Sequence, residues 1–194
     1  MNVKYLGSSV SGKNIRDYGK VEIALAGRSN VGKSSLLNAL GGAAIARTSK
    51  TPGRTRMVNY FDFGSFVVVD LPGYGFAKAS GAEQAGWQEM IEGYLLGSKK
   101  LVHTLVLVDS RLPAQASDKQ MVSFLFLHNM PFTVVATKID KIPKSKRFHR
   151  LKEIASGFKI GAENVIGTSS AEKLGLDSLL LRINQFVEAK DETI

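Results

Sequence analysis

The sequence predicts an α/β protein: a doubly wound, mostly parallel six-stranded sheet with helices on both faces and one antiparallel edge strand. Three observations carry this. Short apolar runs alternate with stretches of helical period between residues 21 and 189. Several runs are apolar at consecutive positions, as strands buried on both faces require. One pair of runs, Val58–Phe63 and Phe66–Asp70, is separated only by Gly64-Ser65, the length of a hairpin turn.

Taken in order, residues 1–20 mix Ser, Gly and basic side chains and predict an arm or edge element without chemistry of its own. A strand over Val21–Ala26 leads through a glycine-containing loop into a helix that Gly41-Gly42 stops. Residues 43–57 hold Pro52-Gly53 and lack apolar periodicity, which predicts a loop. The hairpin follows, then a second glycine-rich loop to about Gly81 and a helix over 83–97. Leu101–Asp109 is a buried strand, 116–128 a helix and Phe132–Ala136 a strand. A basic stretch leads into a helix ending near Ser156. A short strand, Asn164–Gly167, and a last helix over 176–189 complete the pattern.

Composition narrows the function classes. With 194 residues, 44% hydrophobic and 22% charged, the chain reads as one soluble domain over 21–190 preceded by the 1–20 arm. No apolar run approaches a membrane span, and the first residues lack a signal-type apolar core, so a cytoplasmic protein is expected. There is no cysteine, which excludes disulfides, thiolate metal sites and cysteine nucleophiles. The net charge of +9 points to a polyanionic partner, most simply nucleic acid, against the plainer reading of a basic surface.

The chemistry begins at Gly27-Arg28-Ser29-Asn30-Val31-Gly32-Lys33-Ser34, a GxxxxGKS phosphate loop between strand and helix. Gly27 and Gly32 permit the curl that turns backbone N–H groups toward a pyrophosphate. The opening helix aims its free N–H groups at the anion. Lys33 is expected to bridge β- and γ-phosphates, and Ser34 to ligate Mg²⁺. Asp70-Leu71-Pro72-Gly73 closes the second hairpin strand. There Asp70 would hold Mg²⁺ through water and the Gly73 N–H would bond the γ-phosphate. A loop hydroxyl within Gly53-Arg54-Thr55-Arg56-Met57 is a second candidate metal ligand; Thr55 leads, with Thr51 and then Thr48 behind it. A hydroxyl that meets the metal only beside a γ-phosphate makes an order–disorder switch. Thr137-Lys138-Ile139-Asp140 has the form [NT]KxD. Guanine offers N1–H and N2–H₂ on one edge, and a carboxylate such as Asp140 accepts both. Lys138 would lie over the base and Thr137 brace the loop. Thr168-Ser169-Ser170-Ala171 would close over O6 with a backbone N–H. The order of these five matches predicts a P-loop NTPase of small-GTPase type, with Lys33, a loop hydroxyl for which Thr55 leads, and Gly73 as the catalytic groups.

The stretches AGRSNVGKSSLLNAL, TSKTPGRTRMVNYF, DLPGYGFAK, TKIDK and TSSA together resemble the EngB (YihA/YsxC) family of bacterial ribosome-biogenesis GTP-binding proteins, among the TrmE-Era-EngA-EngB-septin-like GTPases. The resemblance covers about residues 20–188. It implies a compact G domain hydrolysing GTP to GDP with Mg²⁺. It also implies a role at the large (50S) ribosomal subunit, a part in normal cell division and septation, and Thr55 as the switch ligand. One departure is Thr168, where members often have Phe. A nucleotide-gated interaction protein of the division machinery, with incidental hydrolysis, is the alternative. An ATP-using P-loop kinase is a third reading, against which TKID argues.

Two residues refine the expectation. Tyr74 follows Gly73 where many small GTPases have a water-orienting glutamine, so slow intrinsic hydrolysis completed by a partner or ion is expected. Asn30 resembles the position that places potassium in related GTPases; the plainer reading is an asparagine that only shapes the loop. The basic side chains cluster at Lys138, Lys141, Lys144, Lys146, Arg147, Arg150 and Lys152, with Arg47, Lys50, Arg54 and Arg56 in the first loop. These are expected contacts to rRNA phosphates of the large subunit, without an aromatic RNA-stacking motif. A monomer is expected. His103, His128 and His149 show no ligand spacing.

Overall fold

The computed structural model describes residues 3–10, 15–42, 44–45, 57–75 and 81–191. Its strands are β1 (Lys4–Ser9), β2 (Glu22–Gly27), β3 (Val58–Asp62), β4 (Val67–Asp70), β5 (Leu101–Asp109), β6 (Phe132–Thr137) and β7 (Val165–Gly167). Its helices are α1 (Lys33–Gly41), α2 (Gly81–Gly97), α3 (Ala116–Leu127), α4 (Arg147–Phe158) and α5 (Leu176–Asp191). The strands form one sheet in the order β1-β3-β4-β2-β5-β6-β7.

Every residue of β2 is buried, and its alternation divides the core. Ile23 and Leu25 point into a cluster with Leu36, Leu37 and Leu40 of α1 and Leu179, Ile183 and Val187 of α5. Ala24 and Ala26 point the other way, into a cluster with Ile91, Tyr94 and Leu95 of α2, Val122 and Leu125 of α3, and Ile154 and Phe158 of α4. The period-two geometry of a strand therefore places two helices on one face and three on the other. A buried carboxylate ties α2 to β2. Tyr94 Oη and Ser98 Oγ both donate to Glu22 Oε2, at 2.7 and 2.6 Å. Burial still pushes the Glu22 pKa up against those two bonds.

The mixed α/β class with a mostly parallel sheet is as expected, but the strand count is seven rather than six. Lys4–Ser9, read within an arm or edge element, is an edge strand: it pairs antiparallel with β3, with an irregularity between Tyr5 and Gly7. The pattern KYLGSS has no clean alternation, and its strand character comes from the partner. The Tyr5 ring packs tilted against Phe61, with centroids 5.5 Å apart, and Ser8 Oγ donates to Asn59 Oδ1 at 2.6 Å. The antiparallel pairing lies at one side of the sheet, with β3 opposing both neighbours and β1 outermost. The Gly64-Ser65 hairpin forms as read, closed by Phe63 N donating to Phe66 O at 2.9 Å. The parallel strands β2, β4, β5 and β6 all end at one rim, where ligands of open α/β sheets bind.

Candidate functional site

At that rim Gly27 ends β2 and Lys33 opens α1. Between them the chain curls through two left-handed residues, Asn30 at φ 61° and Gly32 at φ 112°. The second conformation is one that side chains rarely tolerate, which is why glycine stands immediately before the helix. Leu36 N donates to Gly32 O at 2.9 Å. The N–H groups at the start of α1 lack intrahelical acceptors, as at any helix opening, so Lys33 and Ser34 sit at an anion-attracting end. Lys33 Nζ reaches back to Gly27 O at 3.2 Å. Burial lowers its pKa, and the neighbouring Asp70 opposes that shift.

Asp70 is 6% exposed at the end of β4. Burial raises its pKa and Lys33 works against the rise. Its Oδ1 has no hydrogen-bond partner among the described residues. A buried carboxylate oxygen without a donor, facing a lysine, suits a hydrated divalent cation between protein and phosphate. Leu71 and Pro72 continue in buried positions, and the chain runs along the phosphate loop. Leu71 N donates to Leu25 O at 3.0 Å, Ser29 N to Tyr74 O at 3.2 Å, and Tyr74 N to Gly27 O at 3.4 Å. A Cβ on Gly73 would lie 2.7 Å from Ser29 Oγ and 3.1 Å from Ser29 N, so only glycine allows this approach.

Arg28, inside the phosphate loop, donates through Nε to Asp118 Oδ2 at 3.1 Å. Asp118 lies in the first turn of α3, with its side chain 2% exposed. The Tyr74 ring is part-exposed but its hydroxyl is buried. Burial and the adjacent Asp118 carboxylate push the Tyr74 pKa well up. Asp118 thus joins the phosphate loop to α3 through Arg28, with the buried Tyr74 hydroxyl close by. Sequence reading assigned it no role, and nothing local marks it, since its partner Arg28 lies 90 residues away.

The third wall comes from β6. Thr137 Oγ1 lies 2.7 Å from Val31 O and 3.0 Å from Val108 O, so the hydroxyl braces the phosphate loop. Lys138, left-handed at φ 58°, places Nζ 3.0 Å from Asn30 O and 2.7 Å from Asp109 Oδ2. Asp109 also accepts from Arg111 Nε and Nη2 at 2.9 and 2.7 Å. Burial alone would raise its pKa, but Arg111 and Lys138 hold it well below the usual carboxylate range. Asp109 was missed as a site residue, although its place at the end of the buried run Leu101–Val108 was a usable signal.

Ile139 N donates to Thr168 O at 3.0 Å, and Thr168 N to Ala136 O at 2.8 Å. The TKID and TSSA loops therefore meet. The Ser169 hydroxyl beside Asp140 lowers the Asp140 pKa, with a further contribution from Lys141, whose Nζ is 3.0 Å from Oδ2. Thr168 and Ser169 are buried and Ser170 half-buried. The structure thus brings Gly27–Ser34, Asp70–Gly73, Thr137–Asp140 and Thr168–Ser170 to one continuous rim. Met57 is exposed just before β3. Gly53, Arg54, Thr55 and Arg56 lie outside the described residues, as do Thr51, Thr48, Arg47 and Lys50.

On the basic surface, Lys141, Lys144, Lys146 and Lys152 are exposed. Two of the arginines are committed elsewhere. Arg147 Nε donates to Ile142 O at 3.0 Å. Arg150 donates to the Ser110 and Leu112 carbonyls and to Glu153 at 2.7 Å. His103 is buried, with Nε2 2.9 Å from Thr133 Oγ1 and its ring stacked 3.8 Å from Phe186. Burial, with help from Arg182, lowers its pKa to about 3. Among the described residues no helix is long and apolar enough to cross a membrane.

A GxxxxGKS phosphate loop strapped to a TKID loop, with a lysine and a buried carboxylate beside each other beneath it, defines the class of P-loop GTPases. A protein-family model described as "50S ribosome-binding GTPase" matches residues 22–138. The chain is 47% identical over 163 residues to a probable GTP-binding protein EngB of Thermotoga maritima, covering 83% of this chain and 84% of that one. The crystal structure of a probable GTP-binding protein engB superposes with a TM-score of 0.73 at 25% identity, covering 87% of this chain and 100% of the other. Era in complex with MgGDPNP and a segment of 16S ribosomal RNA matches with a TM-score of 0.69 at 25% identity, over 86% of this chain and 56% of Era. The chain belongs to the EngB family of GTP-binding proteins and is a GTPase.

Proposed function

We propose that this GTPase is a nucleotide-switched assembly factor for the large (50S) ribosomal subunit, acting in the cytoplasm and needed for normal division and septation. It docks in its GTP state and leaves after hydrolysis. The observation that carries the switch is the strapping of the purine-side loop to the phosphate loop by Thr137 and Lys138. The strap would hold the base-side and phosphate-side groups of one nucleotide site in register.

In this reading the N–H groups of Gly27–Ser34 and the Lys33 ammonium bind the β- and γ-phosphates, and Gly73 offers its N–H to the γ-phosphate. Mg²⁺, when bound, neutralises phosphate charge. Ser34 and Thr55 would hold it directly, and Asp70 through water, for which the unpartnered Oδ1 is suited. Asp140 accepts from guanine N1–H and N2–H₂, held ready by the Ser169 hydroxyl beside it. The Ser169 and Ser170 backbone covers O6. The buried Tyr74 hydroxyl beside Asp118 supports the view that Tyr74 orients no water and that a partner or ion completes the catalytic site. Potassium beside Asn30 is one such ion; equal turnover in potassium and sodium chloride would remove it. Asn30 itself has a loop-shaping part, through its left-handed backbone and the Lys138 contact to its carbonyl.

The partner reading rests on the exposed cations Lys141, Lys144 and Lys146 and on the description of the matched family. Arg147 and Arg150 serve it by building that surface rather than by reaching outward. Co-sedimentation with purified 50S subunits in a GTP analogue against GDP tests it, with Asp140→Asn as control. Binding should require the GTP state, and Asp140→Asn should lower guanine nucleotide affinity about a hundredfold or more, through loss of two charge-assisted bonds. Equal sedimentation in both states would leave the division-machinery alternative.

A further inference from the structure

Residues 141–152 carry Lys141, Lys144, Lys146, Arg147, Arg150 and Lys152 and no acidic residue. The arginines are used to build: Arg150 pins α4 to the turn after β5 through the Ser110 and Leu112 carbonyls. Lys144, Lys146 and Lys152 are exposed, and none of the three has an acidic partner among the described residues. In their midst stands Phe148, 71% exposed. The helix buries Ile154, Ala155 and Phe158 against the sheet and makes no packing use of this ring. Lys152 Nζ lies over the ring, 4.5 Å from its centroid, and a side chain this exposed keeps area for a stacking base.

We propose that Phe148 is the base-stacking anchor of a single-stranded RNA site on α4, framed by Lys144, Lys146 and Lys152. The inference rests on the RNA reading of the basic surface given above and supplies what that reading lacked, an aromatic group among the charges. Lysines neutralise phosphates without regard to base. An exposed ring adds affinity for an unstacked base, which only single strands, loops and bulges offer. The charge pattern demands a polyanion. A membrane surface asks for a continuous apolar face, whereas Phe148 is the single exposed large hydrophobic residue of α4.

The test measures anisotropy of a labelled oligo(A) of about 12 nucleotides, with an abasic strand of equal length and anionic lipid vesicles as competitors. The parent should prefer oligo(A) to the abasic strand. Phe148→Ala and Phe148→Leu should each weaken oligo(A) binding about tenfold, with unchanged salt dependence and unchanged GTP affinity. Phe148→Tyr should bind like the parent. Lys144→Ala, Lys146→Ala and Lys152→Ala should weaken both strands alike and lower the slope of log K against log salt by about 0.7 for each phosphate no longer neutralised. Parent-like binding by both the Ala and Leu variants, equal competition by the abasic strand, or displacement of RNA by vesicles would overturn the proposal. Failure to bind 50S subunits, with Phe148-dependent oligo(A) binding intact, would remove only the ribosomal reading. Normal subunit and oligo(A) binding by Phe148→Ala would remove only this one.

Discussion

Replacing Asp118 tests whether the phosphate loop is held from α3. The Asp118 side chain is 2% exposed and that of Arg28 22% exposed, with 3.1 Å between Nε and Oδ2. Asp118→Ala leaves a guanidinium largely out of water without its acceptor. Removing one partner of a buried ion pair costs about 3–5 kcal/mol. The part of Arg28 that reaches solvent reduces this to about 2–4 kcal/mol. At about 2 kcal/mol per molar urea, the unfolding midpoint followed by circular dichroism should fall by about 1–2 M. Asp118→Asn behaves differently. Its side-chain oxygen still accepts from Arg28, and it removes a charge whose burial raises the Asp118 pKa despite Arg28. A carboxyl whose folded pKa lies above its unfolded value contributes stability below the unfolded value, near 4, and loses it as pH rises through the folded value. The Asn variant should therefore gain on the parent as pH rises from about 4, and at pH 7 it should be at least as stable. The Ala variant should also release a fluorescent GDP analogue faster, because Arg28 lies within the loop that holds the phosphates. An Asp118→Ala midpoint within about 0.3 M of the parent, or no coupling in a cycle with Arg28→Met, would refute the reasoning.

Two further outcomes follow from the geometry. Gly73→Ala forces a methyl to 2.7 Å from Ser29 Oγ and 3.1 Å from its backbone nitrogen. Displacement of the chain after β4 from the phosphate loop should cut GTP turnover at least about tenfold while the far-UV spectrum stays parental, as costs of about 1–3 kcal/mol for overpacking imply; turnover within twofold of the parent would contradict the contact. His103, held neutral with a pKa of about 3, binds its proton less readily folded than unfolded. Its contribution to stability is present above the unfolded value, near 6.5, and is lost as pH falls toward 3, at about 1.4 kcal/mol per unit within that window. His103→Asn should flatten the urea midpoint between pH 6 and about pH 4 relative to the parent, and an unchanged slope would count against a buried neutral imidazole.

Much of the fold was legible because it is local. Consecutive apolar residues at Val67–Val69 and Leu105–Val108, in short runs rich in valine, read as strands buried on both faces, and they are. The two-residue Gly64-Ser65 link leaves the chain no route but a hairpin. Lys4–Ser9 was less legible because nothing in KYLGSS alternates; β3 makes it a strand by offering backbone partners. In the site, the phosphate loop, the DLPG turn and the TKID and TSSA loops could be read because each motif couples its chemistry to a backbone shape within a few residues. Asp118 could not be read in that way, because its partner Arg28 is brought from far along the chain; Asp109 pairs locally with Arg111, but its contact to Lys138 exists only because β5 packs beside β6.

The amino-acid order alone determined which loops end which strands, and hence that the GRSNVGKS, DLPG, TKID and TSSA stretches share a rim. Those relations depend on φ/ψ preferences and apolar period, which act over a handful of residues. Tertiary structure decided how the long polar side chains divide their work. Arg150 faces inward to two carbonyls while Lys144 and Lys146 stay outside; Lys138 crosses to Asn30 and Asp109; Phe148 is left in solvent. A long side chain takes the best acceptor within reach in space, and reach in space is known only after helices and strands have packed.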